Sequence, residues 1–178
     1  MKPKINFCSL CGSPVIHTIP EGDNRTRAVC SSCAFVHYRN PNIVVGAVCL
    51  WEDRVLLCRR AIEPRRGYWT VPAGYLEEEE STLAGARREA MEEANADIEI
   101  GPLLAIYDIP VISQVHIMFL ADLKSPEVSA GEESLEVGLF AWDELPPGEY
   151  AFPTIEWVLD YARKVRHLSV FPPERRVH

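Results

Sequence analysis

Three glutamates in the middle of the chain are spaced so that they can act together. Glu89, Glu92 and Glu93 are three and four residues apart, so on a helix their carboxylates lie on one face. Like charges at this spacing destabilise a helix by roughly 0.2–0.5 kcal/mol per pair, and Arg88 can offset only part of that. A divalent cation would reverse the sign of the effect. Because oxygen ligands select hard ions, the pattern predicts a site for Mg²⁺ or Mn²⁺ rather than Zn²⁺.

Two Cys-x-x-Cys pairs near the N-terminus form a second set of potential ligands. The four thiols belong to Cys8, Cys11, Cys30 and Cys33, with residues 12–29 between the pairs. This spacing is typical of a four-cysteine zinc site, and four protein ligands leave no open position for catalysis. We therefore predict a structural zinc ribbon, to whose folding the metal contributes on the order of 10 kcal/mol. A redox motif or two disulfides are the alternatives.

The segment 74–96 must position the glutamates. It contains good helix formers after Ser81, which can act as the N-cap, and Asn95 suits the left-handed position that ends a helix. These signals predict a helix from about residue 82 to 94. Its neighbouring face is apolar and built mainly from small residues, so the helix can lie close against a sheet. The residues of this face are Leu83, Ala86, Ala90 and Ala94.

The same segment resembles the Nudix box, Gly-x5-Glu-x7-Arg-Glu-U-x-Glu-Glu-x-Gly-U, where U is aliphatic. The fixed glycine and polar positions are filled, without insertion, by Gly74, Glu80, Arg88, Glu89, Glu92 and Glu93. Asn95 replaces the last glycine, and Ala90 and Ala96 replace bulkier aliphatics. Neither departure removes a ligand, so both are interpreted as packing variants. A solvated Glu-Glu face is the alternative that a lone pair of glutamates would suggest.

The resemblance implies a fold and a reaction class. From Asn40-Pro41 onward, residues 40–178 are expected to form a Nudix hydrolase domain, an α/β/α sandwich with a mixed sheet, preceded by the zinc ribbon in residues 1–39. The implied reaction is metal-dependent hydrolysis of the pyrophosphate bond in a nucleoside diphosphate linked to another moiety.

The resemblance also suggests roles for individual residues. We expect Glu89, Glu92 and Glu93 to be metal ligands, any of which can also take the proton of the attacking water. Arg88 is expected to orient a ligand carboxylate. Glu80 can hold that arginine or complement the helix N-terminus.

Family members commonly bring a glutamate from late in the chain to the metal cluster or to the attacking water. Glu132, Glu133 and Glu136 are the candidates, and Glu136 is preferred because it stands at the entry of a predicted strand. Solvation of the loop is the alternative for all three.

The phosphate groups of a substrate need further partners. Arg59 and Arg60 belong to a group of four arginines that ends at Arg66, and arginine can bind phosphate oxygens bidentately. A solvated loop would explain them equally well. Trp69 either stacks on a base or fills the core. The carbonyl of Ala73, in an irregular loop, is predicted to be another hard ligand of the metal.

The order of motifs along the whole chain is similar to a subgroup that contains FAD and ADP-ribose pyrophosphatases. NADH pyrophosphatases also carry a ribbon, but they have Ser-Gln-Pro-Trp-Pro-Phe-Pro after the box, whereas Ser113-Gln114 leads into Val115 here. NADH pyrophosphatase and a house-cleaning nucleoside triphosphate hydrolase are the enzymatic alternatives. A non-catalytic regulator that binds a nucleotide sugar, or nucleic acid through its ribbon, is the alternative of another class.

Composition narrows the partners and the compartment. The net charge of −8, from 26 acidic and 18 basic residues, argues against generic binding to nucleic acid or anionic membranes. A phosphate-rich substrate would therefore need cations. No apolar run approaches the ~20 residues of a membrane span and the first residues lack a secretion signal, so a cytoplasmic protein with reduced or metal-bound cysteines is expected. A homodimer is expected from the resemblance alone.

Apolar periodicity predicts the remaining elements. A buried strand over residues 43–50 pairs with 55–58, and Cys49 and Cys58 within them are expected to be inert core thiols. Further strands are predicted over 98–100, 103–107, 115–121 and 137–142, and a second helix over 154–167. The tail from 171 to 178 is expected to be ordered only where it touches something.

Overall fold

The computed structural model describes residues 3–178. The chain divides into two compact units, one ending at Pro41 and the other running from Asn42 to His178.

The first unit contains a three-stranded antiparallel sheet. Its strands are β1 (Val15–Thr18), β2 (Arg27–Cys30) and β3 (Val36–His37), in that order across the sheet. Strands β1 and β2 form an antiparallel hairpin, in which Val15 pairs with Cys30 and Thr18 with Arg27. Sequence analysis did not predict β3, which has only two residues and carries little periodic signal.

The second unit is built around a mixed sheet. Its strands are β4 (Asn42–Trp51), β5 (Arg54–Arg60), β6 (Trp69–Thr70), β7 (Ala73–Tyr75), β8 (Ile98–Ile109), β9 (Gln114–Leu123), β10 (Ser134–Ala141) and β11 (Glu174–Val177). The order is β10-β5-β4-β9-β8-β11, with β6 paired to β5 and β7 to β4. The β4–β9 and β8–β11 pairs are parallel and the others antiparallel, as a mixed sheet requires. A 3₁₀ turn (Pro110–Ile112) joins β8 to β9.

Two helices cover the sheet, α1 (Thr82–Ala94) and α2 (Pro153–Val165). Successive side chains of β4 point to opposite faces. Ala47 belongs to the core cluster that includes α1, and Val48 to the cluster that includes α2. The helices therefore lie on opposite faces, which confirms the predicted α/β/α sandwich. In the part of the chain described, no helix has the length and apolar character needed to span a membrane.

One predicted boundary was wrong. Gly101 and Pro102 do not separate two strands but lie inside the single long strand β8, where the pairing to β9 shifts register. Gly101 and Pro102 are tolerated at this irregular point, because a β-bulge interrupts the regular hydrogen bonds between the two strands. The tail was expected to be ordered where it contacts the rest of the protein. It forms the edge strand β11, which pairs with β8 and accepts a hydrogen bond from the Tyr107 hydroxyl to Glu174 at 2.7 Å.

Candidate active site

Helix α1 has the bounds that its capping residues predicted. The Ser81 hydroxyl accepts a hydrogen bond from the N–H of Ala84 at 3.2 Å, and Asn95 ends the helix in the left-handed conformation with φ 48°. Ala86, Ala90 and Ala94 are fully buried against the sheet. This close packing brings the adjacent acidic face to the edge of β7.

The three glutamates on that face differ in environment. Glu89 and Glu93 are 8% and 5% exposed, whereas the side chain of Glu92 is 57% exposed. Burial raises the pKa of Glu93 to about 8, and the neighbouring charge of Glu89 adds to this effect. Burial also raises the pKa of Glu89, although Arg88 opposes the shift. Two of the three carboxylates are thus desolvated without full compensation.

Arg88 connects four acceptors around this face. Its Nη1 donates to Glu89 at 2.7 Å and to Glu92 at 2.9 Å. Its Nε and Nη2 donate to the two oxygens of Glu80 at 2.9 and 3.0 Å, and Nη2 also reaches the carbonyl of Tyr75 at 3.0 Å. The paired hydrogen bonds hold the pKa of Glu80 below its usual range and raise that of Arg88. The arginine therefore fixes the orientation of two glutamates on the acidic face.

Strand β7 forms the wall opposite the helix. The N–H of Ala73 donates to Glu93 at 3.3 Å. A Cβ at Gly74 would overlap the Glu89 carboxylate, so only glycine leaves room for that group. The two buried carboxylates are in this way fitted against the backbone of the strand.

A large cleft of about 1480 Å³ opens from this wall. Seven glutamates line it, Glu63, Glu77, Glu89, Glu92, Glu93, Glu132 and Glu133, against two arginines, Arg60 and Arg88. Its other half is mainly apolar and is lined by residues such as Val44, Ile109, Met118, Phe152, Ile155 and Val158. The cleft thus has one strongly acidic end and one apolar end.

The acidic end fits a hard divalent cation. Its donors are carboxylate oxygens, and two arginines cannot balance seven glutamates. Among residues 3–178, a compact group of three or more potential metal ligands is found at the four ribbon cysteines, whose ligand atoms lie within 4.8 Å of one another. Arg88 holds Glu89 and Glu92 near each other, because its Nη1 pairs with both carboxylates.

The arginines and the tryptophan named by sequence analysis lie in different places. Arg60 lines the cleft, over the ring of Phe152 at 5.4 Å. Arg59 is not among the described residues that line the cleft. It pairs instead with Glu136 at 3.4 Å, and both side chains are about half exposed. Trp69 is buried and its ring lies edge-on to Phe140. This is the position expected if the side chain fills the core rather than stacking on a base.

The late-chain glutamates also separate. Glu132 and Glu133 line the cleft, whereas Glu136 lies outside the described lining, paired with Arg59. The charge of Glu133 helps to raise the pKa of both Glu89 and Glu93. Sequence analysis preferred Glu136 because of its position at the strand entry. A bulge between Ser134 and Glu136 shifts the register there, and no sequence signal revealed it.

The ribbon cysteines are arranged for a tetrahedral ion. Three of their Sγ–Sγ distances are 3.4, 3.6 and 3.7 Å, close to the about 3.8 Å expected around zinc with Zn–S bonds of about 2.3 Å. Hydrogen bonds from Ser13 lower the pKa of Cys11 to about 6, and the N–H groups of Cys33 and Ser32 lower that of Cys30. Both effects favour the thiolates that bind metal. Against a hydrogen bond from the Phe35 backbone, the Cys30 thiol and burial raise the pKa of Cys33 to about 12. All six cysteines are free, and burial raises the pKa of Cys49 to about 12, as expected for an inert core thiol.

Comparisons with known proteins agree with this geometry. A zinc-ribbon model described as Nudix N-terminal matches residues 6–39, and a model described as NUDIX domain matches residues 40–161. The crystal structure of a NUDIX hydrolase from Nitrosomonas europaea is 45% identical, with a TM-score of 0.91 and coverage of 98% of this chain and 100% of that one.

Two curated relatives carry more specific names. An ADP-ribose pyrophosphatase of Methanocaldococcus jannaschii is 29% identical, over 71% of this chain and 76% of its own length. A NAD-capped RNA hydrolase NudC of Salmonella heidelberg is 30% identical over 84% of this chain, and the match spans only 58% of that relative. With its acidic helix, its mixed sheet and the four clustered cysteines of a zinc ribbon, the chain belongs to the Nudix hydrolase family.

Proposed function

We propose that the protein hydrolyses the pyrophosphate bond of a nucleoside diphosphate linked to another moiety. The observation that carries this proposal is the cleft itself, in which Glu89 and Glu93 are buried and the described lining has seven glutamates for two arginines. Such a surface repels a diphosphate unless cations mediate its binding. The family relationship supports the same reaction class.

Glu89, Glu92 and Glu93 would hold the divalent cations, with the Ala73 carbonyl as a further hard ligand. When bound, Mg²⁺ supplies positive charge for the phosphate oxygens and makes water a better nucleophile at neutral pH. The protein contributes orientation. Arg88 keeps Glu89 and Glu92 in fixed positions through hydrogen bonds of 2.7 and 2.9 Å.

Two more residues have assigned roles. Arg60 binds a phosphate oxygen, since it lines the cleft and its Nε donates to the carbonyl of Pro64 rather than to a carboxylate. Glu133 takes the proton of the attacking water, because it lines the same cleft as the three glutamates of α1. Glu136 is a weaker candidate because it pairs with Arg59 outside the described lining.

The apolar half of the cleft suggests what lies beyond the diphosphate. His116 lines it, and burial lowers the pKa of this imidazole to about 4, so the side chain is neutral at physiological pH. An uncharged ring of the substrate therefore fits these apolar walls better than a third phosphate group does. At about 1480 Å³ the cleft exceeds the about 300–1,000 Å³ of typical ligand pockets, which leaves room for both halves of a dinucleotide.

FAD and ADP-ribose are therefore the first candidate substrates, giving AMP plus FMN or AMP plus ribose 5-phosphate. The relative named ADP-ribose pyrophosphatase supports this choice. NADH or a NAD-capped RNA end is the second candidate, favoured by relatives named NAD-capped RNA hydrolase that match 79% and 84% of this chain. NADH ranks lower as a substrate, because Ser113-Gln114 is followed directly by Val115 of β9 and not by the Pro-Trp-Pro-Phe-Pro sequence of NADH pyrophosphatases.

A turnover screen with Mg²⁺ tests the proposal. FAD, ADP-ribose, NADH, NAD, a NAD-capped RNA and dGTP are incubated with the protein, and the products are separated by chromatography. We expect AMP from FAD or ADP-ribose and none from the Glu93→Gln variant. The control is Glu99→Gln, an exposed residue of β8. Predominant dGTP turnover, or full activity of Glu93→Gln, contradicts the proposal.

The proposed zinc ion, homodimer and cytoplasmic location can each be measured directly. Metal analysis of gently purified protein should find one zinc per chain, held by the four ribbon cysteines. Sedimentation should show a homodimer, and cell fractionation should find the protein in the cytoplasm. A preference for Mn²⁺ over Mg²⁺ in turnover would change the identity of the ion but not the ligands.

A further inference from the structure

The loop that carries Glu132 and Glu133 is fastened to the end of α1. We call residues 129–133 the cap loop. The N–H of Ser129 donates to the carbonyl of Ala94, and that of Gly131 to the carbonyl of Glu93, both at 3.0 Å. These carbonyls lie in the last turn of the helix, where no donor from the helix itself is available. A Cβ at Gly131 would overlap the Glu92 carbonyl, so the loop backbone lies directly on the helix.

The side chain of Asn95 adds a third attachment. Its Nδ2 donates to the carbonyl and to the hydroxyl of Ser129, each at 3.1 Å. In the Nudix box pattern this position is glycine, which adopts the left-handed conformation readily but has no side-chain donor. Asparagine adopts the same conformation here, with φ 48°, and its side chain also holds the loop by hydrogen bonds.

We infer that Asn95 is a positioning residue which, by holding Ser129, fixes the cap loop and so keeps Glu133 in the lining of the cleft that Glu89 and Glu93 also line. The inference rests on the proposed function, in which Glu133 takes the proton of the attacking water. It gives the departure from the family pattern a role in this chain. Asn95 acts through the loop, and its effect must therefore depend on Glu133.

The first test replaces Asn95 by glycine, which keeps the left-handed conformation and removes the donor. With the most rapidly hydrolysed dinucleotide of the screen, kcat should fall about fivefold while KM is unchanged. The factor corresponds to about 1 kcal/mol, at about 1.4 kcal/mol per tenfold. Amide hydrogen exchange of Ser129 and Gly131 should accelerate, in the absence of substrate. Asn95→Asp keeps the shape but replaces the donor to the Ser129 carbonyl by a carboxylate oxygen, which repels that carbonyl. It should also lower kcat and speed the exchange of Ser129, and it covers the case in which Asn95→Gly folds poorly.

Glu52→Gly is the matched control. Glu52 also has a positive φ, of 53°, in the turn between β4 and β5, so the substitution makes the same backbone change without touching the cap loop. It should leave kcat and the exchange of Ser129 unchanged. If it lowers kcat as much as Asn95→Gly does, the effect belongs to glycine itself and the inference is overturned.

A double-mutant cycle decides whether the effect passes through Glu133. In a Glu133→Gln background, Asn95→Gly should cause no further loss of kcat. An undiminished loss in that background overturns the inference, as does a change of less than twofold in the wild-type background. Glu93→Gln separates the two proposals: if it is inactive while Asn95→Gly is normal, only the role of Asn95 fails. If Glu93→Gln retains full activity, the proposed function itself fails.

Discussion

Replacing Glu93 by glutamine should stabilise the protein in the absence of divalent metal while it abolishes turnover. Burial raises the pKa of this carboxyl from 4.5 to about 8, so between these values the folded protein binds more protons than the unfolded chain. Stability therefore decreases as the pH rises through this window. Each unit is worth about 1.36 kcal/mol, so the full destabilisation is roughly 5 kcal/mol above pH 9. Glutamine has nearly the same shape and cannot ionise.

The size of the effect should follow the pH. At pH 6 the wild type has lost only the stability that corresponds to the interval from pH 4.5 to 6. By pH 9 it has also lost the stability that corresponds to the interval from pH 6 to 8. The advantage of Glu93→Gln over the wild type should grow by roughly 3 kcal/mol between these two values. Addition of Mg²⁺ should stabilise the wild type and not the variant.

Urea unfolding at pH 6 and pH 9, without added divalent metal, measures this difference. Zinc content is checked in every sample. Glu99→Gln, an exposed glutamate on β8, is the control and should show no pH-dependent difference from the wild type. A Glu93→Gln protein that is less stable than the wild type at pH 9, or an advantage that is the same at both pH values, would refute the reasoning.

Three further predictions follow from the same geometry. Gly74→Ala should lower kcat/KM by on the order of 100-fold in the turnover assay, because the new methyl group displaces the Glu89 carboxylate. Arg60→Ala should raise KM about tenfold, and Arg59→Ala by less, since only Arg60 lines the cleft; equal effects would contradict the assignment. Cys30→Ser should remove the zinc and speed amide exchange throughout residues 3–39, and retention of one zinc per chain would exclude a four-cysteine site.

Helix α1 could be predicted closely because its signals are local. Ser81 and Asn95 act on backbone groups within one turn of themselves, so their residue types alone indicate where the helix begins and ends. The same holds for the strand pair across Glu52, where a short turn joins two apolar runs. Spacing also indicated that Arg88 would lie among the acidic side chains, as it does.

The late-chain glutamate could not be chosen from the sequence. Glu132, Glu133 and Glu136 lie within five residues, and all suit a solvated loop. Which of them faces the cleft depends on the hydrogen bonds between the cap loop and α1 and on a bulge in β10, both of which are tertiary features. For the same reason Trp69 was ambiguous, since only the position of Phe140 shows that its ring belongs to the core.

The three buried alanines of α1 set the thickness of the layer between helix and sheet. Ala86, Ala90 and Ala94 have no exposed surface, so the helix axis rests at the distance that methyl groups allow. Restoring a large aliphatic at Ala90, as the family consensus would recommend, would lift the helix and withdraw its acidic side chains from β7. Consensus engineering is therefore unsafe at this position, because a large side chain would change how far the acidic side chains of α1 reach toward β7.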